Sequence, residues 1–215
     1  GQREIVRALA GVIRPHQSEI VRTTRGGDTT RFDPRDGVVR IVRQGVGLIP
    51  EDRKLEGLYL ELPIADNIGL GLLRGRGLMR AAPRQRAVLE HIAEQLQLRA
   101  RDLAQDAGEL SGGNQQKVMV GRWLAAGVDT LLIEQPTRGV DVGAKAEIYG
   151  LLRAFVEQGG AVLALSSDLL ELIGLCDRIL MVRGGRIVGD VVAATATEES
   201  LLALALSDAR TEVQT

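Results

Sequence analysis

The sequence of 215 residues contains one cysteine, two histidines and five aromatic residues. The single cysteine, Cys176, excludes an internal disulfide and a zinc site built from cysteines. The two histidines, His16 and His91, do not have the spacing of metal ligands. Few aromatic rings and a net charge of −1 argue against a nucleic-acid-binding surface, which relies on base stacking and on basic patches. We therefore expect no nucleic-acid partner.

Long apolar segments are also missing. No apolar run approaches the roughly 18–20 residues that a bilayer-spanning helix needs, and no signal-peptide pattern opens the sequence. The expected environment is therefore a soluble, reducing compartment. Glycine is abundant, with 26 residues and no collagen-like period, so we expect it at turns and at close backbone approaches. The length suits one domain, or one domain with an inserted subdomain.

Short apolar runs alternate with helical patterns along the chain, which predicts an α/β fold with a parallel sheet buried on both faces. The predicted strands are 45–50, 130–133, 161–165 and 179–182. The predicted helices are 1–12, a short one after Asp33 and Pro34, 64–73, 84–98, 111–126, 142–157 and 168–175. Residues 18–33 are predicted to form a strand pair around a glycine turn at 25–28.

The block from about residue 60 to residue 124 is helical and interrupts the strand pattern. We therefore predict an α/β core at 1–57 and 126–190, a helical subdomain at 58–125 and a C-terminal helix or tail at 191–215. The first helix begins directly after Gly1 and leaves no room for a preceding strand. This arrangement predicts an incomplete amino end.

The segment 110–118, Leu-Ser-Gly-Gly-Asn-Gln-Gln-Lys-Val, has the residues of an anion site. Ser111 is a good helix N-cap, and Gly112 and Gly113 leave room for a ligand at the helix N-terminus. Free backbone N–H groups and the helix dipole at such an end suit phosphate. A plain turn before an amphipathic helix explains Ser-Gly-Gly equally well.

A second segment, 130–145, combines a buried strand with an acid at its end. Glu134 follows the apolar run, at the place where a parallel sheet can hold a magnesium-binding carboxylate. Gln135 comes next, and its neutral amide cannot accept a proton as a carboxylate does. A buried strand followed by a turn with Pro136 is the alternative explanation.

Together these segments resemble the ATPases of ABC transporters, and the Asn-Gln-Gln-Lys form resembles the simple-sugar import subfamily. The resemblance makes 110–118 the signature loop, with Ser111, Gly112, Gly113 and Asn114 contacting nucleotide. It makes 138–141 the D-loop, although Asp141 is equally a helix cap. It places Glu134 at magnesium, Gln135 at the general-base position and Ser167 at the switch-histidine position, although Ser167 is equally an ordinary cap for the next helix. Glu51 falls at the glutamine of the Q-loop, although the charged run 51–54 also fits a solvated surface turn. Of the phosphate-binding loop, Gly1 remains, with Gln2 at the lysine position and Arg3 at the hydroxyl position.

The resemblance implies a P-loop NTPase fold of the ABC type and the carboxyl-terminal half of a tandem sugar-importer ATPase. The implied ligands are ATP and Mg²⁺. The implied partners are a second ATPase half, a transmembrane permease and, indirectly, a periplasmic sugar-binding protein. The implied location is the cytoplasmic face of the plasma membrane. A non-catalytic, nucleotide-dependent dimerisation or regulatory module is the alternative. An ABC ATPase of translation or DNA repair is disfavoured by the Glu-Asp-Arg-Lys run at 51–54.

These assignments lead to two expectations about structure and activity. Gly1, Glu134 and Ser167 should lie at the carboxyl edge of one parallel sheet, while Ser111 lies away from Glu134 in the helical part. The isolated chain should bind MgATP weakly and hydrolyse it negligibly, because the phosphate-binding lysine, the hydroxyl and the general base are replaced.

Overall fold

The computed structural model of the chain describes residues 1–23, 27–73 and 83–206. The α-helices of this part are Gln2–Leu9 (α1), Val38–Arg43 (α2), Ile64–Gly69 (α3), Pro83–Gln95 (α4), Gly112–Ala126 (α5), Val142–Glu157 (α6), Leu169–Leu175 (α7) and Glu198–Leu206 (α8). The strands are Ile20–Thr23 (β1), Thr29–Phe32 (β2), Val46–Ile49 (β3), Thr130–Glu134 (β4), Ala161–Leu165 (β5), Arg178–Arg183 (β6) and Arg186–Val192 (β7). A π-helical turn, Arg53–Gly57, follows β3.

The centre of the fold is a parallel sheet in the order β3-β4-β5. Leu48 pairs with Leu132, and Glu134, the last residue of β4, pairs with Leu165. Ile49 and Ile133 are fully buried, as expected for apolar strands covered by helices. The predicted parallel α/β sheet is therefore confirmed, and the strand pair predicted at 18–33 is the antiparallel pair β1–β2.

The segment predicted at 179–182 does not join this sheet. It belongs to β6, which pairs with β7 in an antiparallel hairpin. Gly184 and Gly185 form its two-residue turn with φ of +55° and +76°, the left-handed geometry that glycine tolerates and that matches strand twist. The prediction of a parallel strand here is wrong because an apolar run does not by itself specify its partner.

The prediction that the sheet is buried on both faces holds for β3 and β4 but not for β5. Leu163, in the middle of β5, is 37% exposed. An open apolar groove of about 730 Å³ lies beside this strand, between β5 and β6, with side chains such as Ile5, Leu152 and Leu172 along it. Among the described strands β5 pairs with β4 alone, and its side chains Val162 and Leu163 line this groove.

Helices α3, α4, α5 and α6 form the largest apolar core against β3 and β4. Trp123 of α5 packs directly over Gly47 of β3, where a Cβ would stand 2.5 Å from the indole. The indole Nε1 donates to the carbonyl of Leu48 at 3.0 Å, so the ring fixes α5 on the sheet. Trp123 is partly buried and packs against this core.

Several predicted helices differ from the observed ones at their ends. The first ends at Leu9 rather than at residue 12, and the helix predicted at 64–73 turns into a 3₁₀ helix at Leu70–Leu73. The helix predicted at 84–98 ends at Gln95, since Gln97 has a φ of +48° that no α-helix continues. Arg25 and Gly26 of the predicted turn, residues 74–82 and the tail 207–215 lie outside the described residues. The domain boundaries remain predictions, and no helix in the described ranges is long and apolar enough to cross a bilayer.

Candidate functional site

Glu134 lies at the carboxyl end of β4, buried to 1% exposure. Arg7 of α1 donates two hydrogen bonds to its carboxylate, from Nε to Oε1 at 2.8 Å and from Nη2 to Oε2 at 3.1 Å. The backbone N–H of Glu51 also donates to Oε2, at 3.1 Å. Hydrogen bonds to Glu134 and to Glu56 raise the pKa of Arg7 further above its already high value. Both oxygens of the predicted magnesium ligand therefore have close protein partners.

Glu134 is one member of a larger group of ion pairs. Arg3 lies 3.5 Å from Glu134 and 3.7 Å from both Glu51 and Glu56. Arg7 also pairs with Glu56 at 2.8 Å, and Arg138 pairs with Glu51. We call these six residues the arginine–glutamate cluster: Arg3, Arg7, Arg138, Glu51, Glu56 and Glu134. Its three positive and three negative charges balance.

This arrangement does not fit a resident magnesium ion. Mg²⁺ requires oxygen ligands at about 2.0–2.1 Å in near-octahedral geometry, and the oxygens of Glu134 accept from Arg7 and Glu51 instead. Arg3 stands where the resemblance placed a hydroxyl ligand, and it offers a cation. Within 1–23, 27–73 and 83–206 no group of three or more acidic, histidine or cysteine side chains has the geometry of a metal site.

Gln135 and Ser167 meet beside this cluster. The amide Oε1 of Gln135 accepts from the backbone N–H of Ser167 at 3.2 Å and from its hydroxyl at 3.3 Å. Gln135 has a left-handed φ of +49°, a strained conformation for any residue other than glycine. Its backbone N–H donates to the carbonyl of Leu165 at 2.6 Å. The two residues thus join the ends of β4 and β5, and neither offers a general base.

A buried carboxylate that the sequence analysis missed lies behind them. Glu171, 6% exposed, accepts from the hydroxyls of Thr137 at 2.6 Å, Tyr149 at 3.1 Å and Ser166. Burial raises the pKa of the Tyr149 phenol. The spacing Asp168-x-x-Glu171 predicts a local helix cap, and the Asp168 side chain does accept from the N–H of Glu171. Only the fold reveals that Glu171 also fastens the segment after β4 to the segment after β5.

The signature segment, residues 110–118, begins α5. Ser111 is the N-cap, and its hydroxyl accepts from the backbone N–H of Asn114 at 3.5 Å and from its side-chain amide at 3.0 Å. A Cβ at Gly112 would lie 2.6 Å from the carbonyl oxygen of Gly139, and one at Gly113 would lie 2.6 Å from the Cβ of Ala144. Both glycines are therefore required by packing within the chain, whatever ligand approaches the helix.

Arg53 connects three separate segments at this point, and sequence analysis did not single it out. Its Nε donates to Oε1 of Gln115 in α5 at 3.1 Å. Its two Nη groups donate to the carbonyls of Arg138 at 2.7 Å and Gly139 at 3.0 Å. One guanidinium therefore holds the π-helical turn, the signature helix and the loop after β4 in one arrangement.

The remaining predicted site residues are spread around these contacts. Gly1 lies against Gly185 in the β6–β7 turn, and Gln2 borders the apolar groove, so neither joins the arginine–glutamate cluster that Arg3 enters. Asp141 caps α6 by accepting from the N–H of Ala144 at 2.9 Å, the structural role that the sequence left open for it. In the part of the chain with assigned positions, no hydrogen bond joins Ser111 to Glu134, as expected.

Comparison with known proteins decides the family. The family model described as ABC transporter matches residues 1–138 of the chain. The chain belongs to the ABC transporter family. The ABC-type P-loop fold expected from the sequence, with its parallel sheet and helices, is thereby confirmed.

Two curated ABC proteins show how much of a relative the chain covers. The ribose import ATP-binding protein RbsA of Corynebacterium glutamicum is 43% identical over 213 residues, which are 96% of this chain and 39% of that protein. An arabinose import ATP-binding protein, AraG 2 of Burkholderia cenocepacia, is 41% identical over 209 residues, again 96% and 39%. The chain spans about two fifths of the length of these relatives.

Solved ABC cassettes share the fold. A nucleotide-free ATP-binding cassette from an ABC transporter superposes with a TM-score of 0.77 at 17% identity, covering 95% of this chain and 79% of that one. A dimeric cassette bound to ADP and inorganic phosphate gives a TM-score of 0.71 at 22% identity, covering 90% and 81%. At these identities the likeness shows the fold alone.

Proposed function

We propose that the chain is the carboxyl-terminal ATP-binding half of a sugar ABC importer and that it supplies its signature loop to the ATP site of a partner half. One observation carries the proposal. The N-terminus of α5 is capped by Ser111 and fixed by Arg53, while the acids beside the chain's own site are occupied by arginines. These features support a half that serves a partner's site and does not hydrolyse ATP at its own.

The chemistry of the signature loop follows from helix geometry. The N–H groups of the first turn of α5 and the helix dipole favour an anion, so Ser111, Gly112, Gly113 and Asn114 are the proposed contacts to the partner's ATP. Packing of Gly112 and Gly113 on their own chain preorganises this end. Preorganised donors cost no rearrangement when the phosphate charge arrives.

The chain's own nucleotide site is proposed to be non-hydrolytic. Glu134, Gln135 and Ser167 occupy the catalytic positions of the family, but Gln135 is a neutral amide and Glu134 is ion-paired. Gly1, Gln2, Arg3, Glu51 and Asp141 remain proposed nucleotide contacts by resemblance. Among these five residues, Arg3 is the one whose side chain offers a positive charge to phosphate.

The proposed cargo is a monosaccharide. The two relatives above are named for ribose and for arabinose at nearly equal identity, so the ATP-binding sequence does not separate these two sugars. We propose that selectivity lies in a permease and a periplasmic sugar-binding protein. Leu55 in the π-helical turn and Tyr59 and Leu62 just after it are exposed apolar side chains, and they support a permease contact on the cytoplasmic face.

The alternative is a dimerisation or regulatory module without transport. The arginine–glutamate cluster favours this module, because its three positive and three negative charges are already balanced without a bound metal or nucleotide. The two proposals differ in what the complex does. Coexpression with a permease and a second ATPase half, followed by sugar uptake into vesicles, separates them. ATP-dependent uptake that disappears with Ser111→Arg and survives with Ser111→Thr supports the importer, since threonine keeps the capping oxygen. A dimer that forms with ATP and drives no uptake supports the module.

A further inference from the structure

We infer that the guanidinium of Arg7 fills the cation position beside Glu134, so that this site takes the phosphates of a nucleotide without a divalent metal. The nucleotide part of this inference rests on the proposed function. The metal part rests on the arginine–glutamate cluster alone.

The geometry of Arg7 and Glu134 carries the first step. Two nitrogens of the guanidinium face the two oxygens of the carboxylate at 2.8 and 3.1 Å, the bidentate arrangement that is strongest for this pair. Arg7 is mostly buried, with 18% of its side chain exposed, and Glu134 is fully buried. A metal ion entering here would have to displace a buried guanidinium from its partner, which leaves a buried charge without compensation.

Arg7 also balances the negative charge of this site. Glu134 and Glu56 are both bonded to Arg7, which reaches each of them at 2.8 Å. Without Arg7 these carboxylates and Glu51 would face one another with only Arg3 and Arg138 to balance them. Three carboxylates with excess negative charge and oxygen ligands form an environment that a hard divalent cation prefers. The three carboxylates do not stand in metal-site geometry while Arg7 is in place. Removal of Arg7 would free both oxygens of Glu134 for a cation.

Arg3 is the residue that meets the phosphates. Its side chain is 45% exposed, and its contacts with Glu51, Glu56 and Glu134 are long, between 3.5 and 3.7 Å. Such exposed, poorly aligned pairs contribute little to stability, so a phosphate can replace them at low cost. Arg7, with its short bonds, stays with Glu134 while Arg3 turns to the ligand.

The absence of a metal site is tested by titrating the purified full chain with Mn²⁺. Binding is measured as the loss of the electron paramagnetic resonance signal of the free ion. The wild type should bind no Mn²⁺ stoichiometrically. Arg7→Met should gain affinity by roughly tenfold or more, because one unit charge at contact distance is removed. Arg7→Lys, which keeps the charge, should gain none, and Glu134→Gln in the Arg7→Met background should abolish the gain. Circular dichroism verifies that each variant is folded.

Stoichiometric Mn²⁺ binding by the wild type would overturn the inference, and so would a folded Arg7→Met chain that gains no site. If Arg7→Met does not fold, the comparison of wild type with Glu134→Gln decides the matter. Equal, negligible Mn²⁺ binding by both supports the inference, and binding that Glu134→Gln removes overturns it.

Binding of a fluorescent ATP analogue in EDTA and in Mg²⁺ tests the nucleotide part. Equal affinities for the analogue in the two buffers, both reduced by Arg3→Ala, support nucleotide binding without a metal. Affinity that requires Mg²⁺, or no binding in either buffer, overturns it. The Mn²⁺ measurement does not depend on nucleotide or transport, so failure of the metal inference and failure of the proposed function are distinguishable.

Discussion

A Cβ at Gly112 would stand 2.6 Å from the carbonyl oxygen of Gly139, so the first residue of α5 and the loop after β4 pack at a distance that only glycine allows. Arg53, in the π-helical turn, stabilises this contact by donating to the carbonyls of Arg138 and Gly139. The signature segment is thus tied to the segment that follows Glu134 and Gln135.

Arg53→Ala should loosen this connection. The variant loses three hydrogen bonds from a charged donor, and their partial exposure limits the loss to about 1–3 kcal/mol in the free energy of unfolding. Urea denaturation measures it. Lys54→Ala is the matched control, since it removes the same charge from the neighbouring exposed residue and should cost less than about 0.5 kcal/mol. Equal losses for the two variants would show that Arg53 does not organise the signature segment.

Gly113→Ala should destabilise the chain although alanine favours helix. The new methyl group would lie 2.6 Å from the Cβ of Ala144, and overpacking of this kind costs about 1–3 kcal/mol. Gly150→Ala in α6 is the control, because no atom lies within 4 Å of its Cβ position. There the helix preference alone acts and should stabilise by about 0.5–1 kcal/mol. Thermal melting of both variants gives opposite signs if the packing is as described.

The pair Lys117–Glu147 should make stability depend on acid. Lys117 is buried and donates to Glu147 at 2.7 Å, and this bond, with further help from Arg99, lowers the pKa of Glu147 below the ordinary 4.5. A carboxyl with a lowered folded pKa stabilises fully above its unfolded pKa and loses that effect as the pH falls through the folded pKa. The difference in urea midpoint between wild type and Glu147→Gln should therefore be constant between about pH 6 and 8. It should shrink as the pH falls below about 4.5. Glu94→Gln, at an exposed position of α4, serves as the control. A difference between wild type and Glu147→Gln that stays constant into acid would contradict the assigned pair.

Some of these features could be predicted from the sequence and others could not. The runs at 130–133 and 161–165 predicted β4 and β5 because they are short, apolar and bounded by turn residues. Asp141 predicted the start of α6 because its side chain suits a cap. These signals are local, so they survive in any fold that keeps the element.

The partners of charged residues depend on tertiary structure. Arg3 and Arg7 are four residues apart on one helix, which shows that they share a face but does not identify Glu134 as their acceptor. Arg53 stood in a charged run that is equally typical of a solvated turn. The strand at 178–183 has an apolar pattern that fits either sheet, and the Gly184-Gly185 pair after it is the local signal that favours the hairpin. Pairing across the chain was the information that the sequence alone lacked.

The ATPase rate of the assembled transporter is the most direct test of the claim that this half serves its partner's site. The rate is compared between the wild-type complex and complexes in which this chain carries either Ser111→Arg or Gln135→Ala. Arginine at 111 removes the cap and places a long side chain where the partner's phosphates are proposed to lie, so ATPase should be lost. Gln135 transfers no proton, so Gln135→Ala should leave the rate within about twofold of wild type. Loss of activity with Gln135→Ala and full activity with Ser111→Arg would contradict the account.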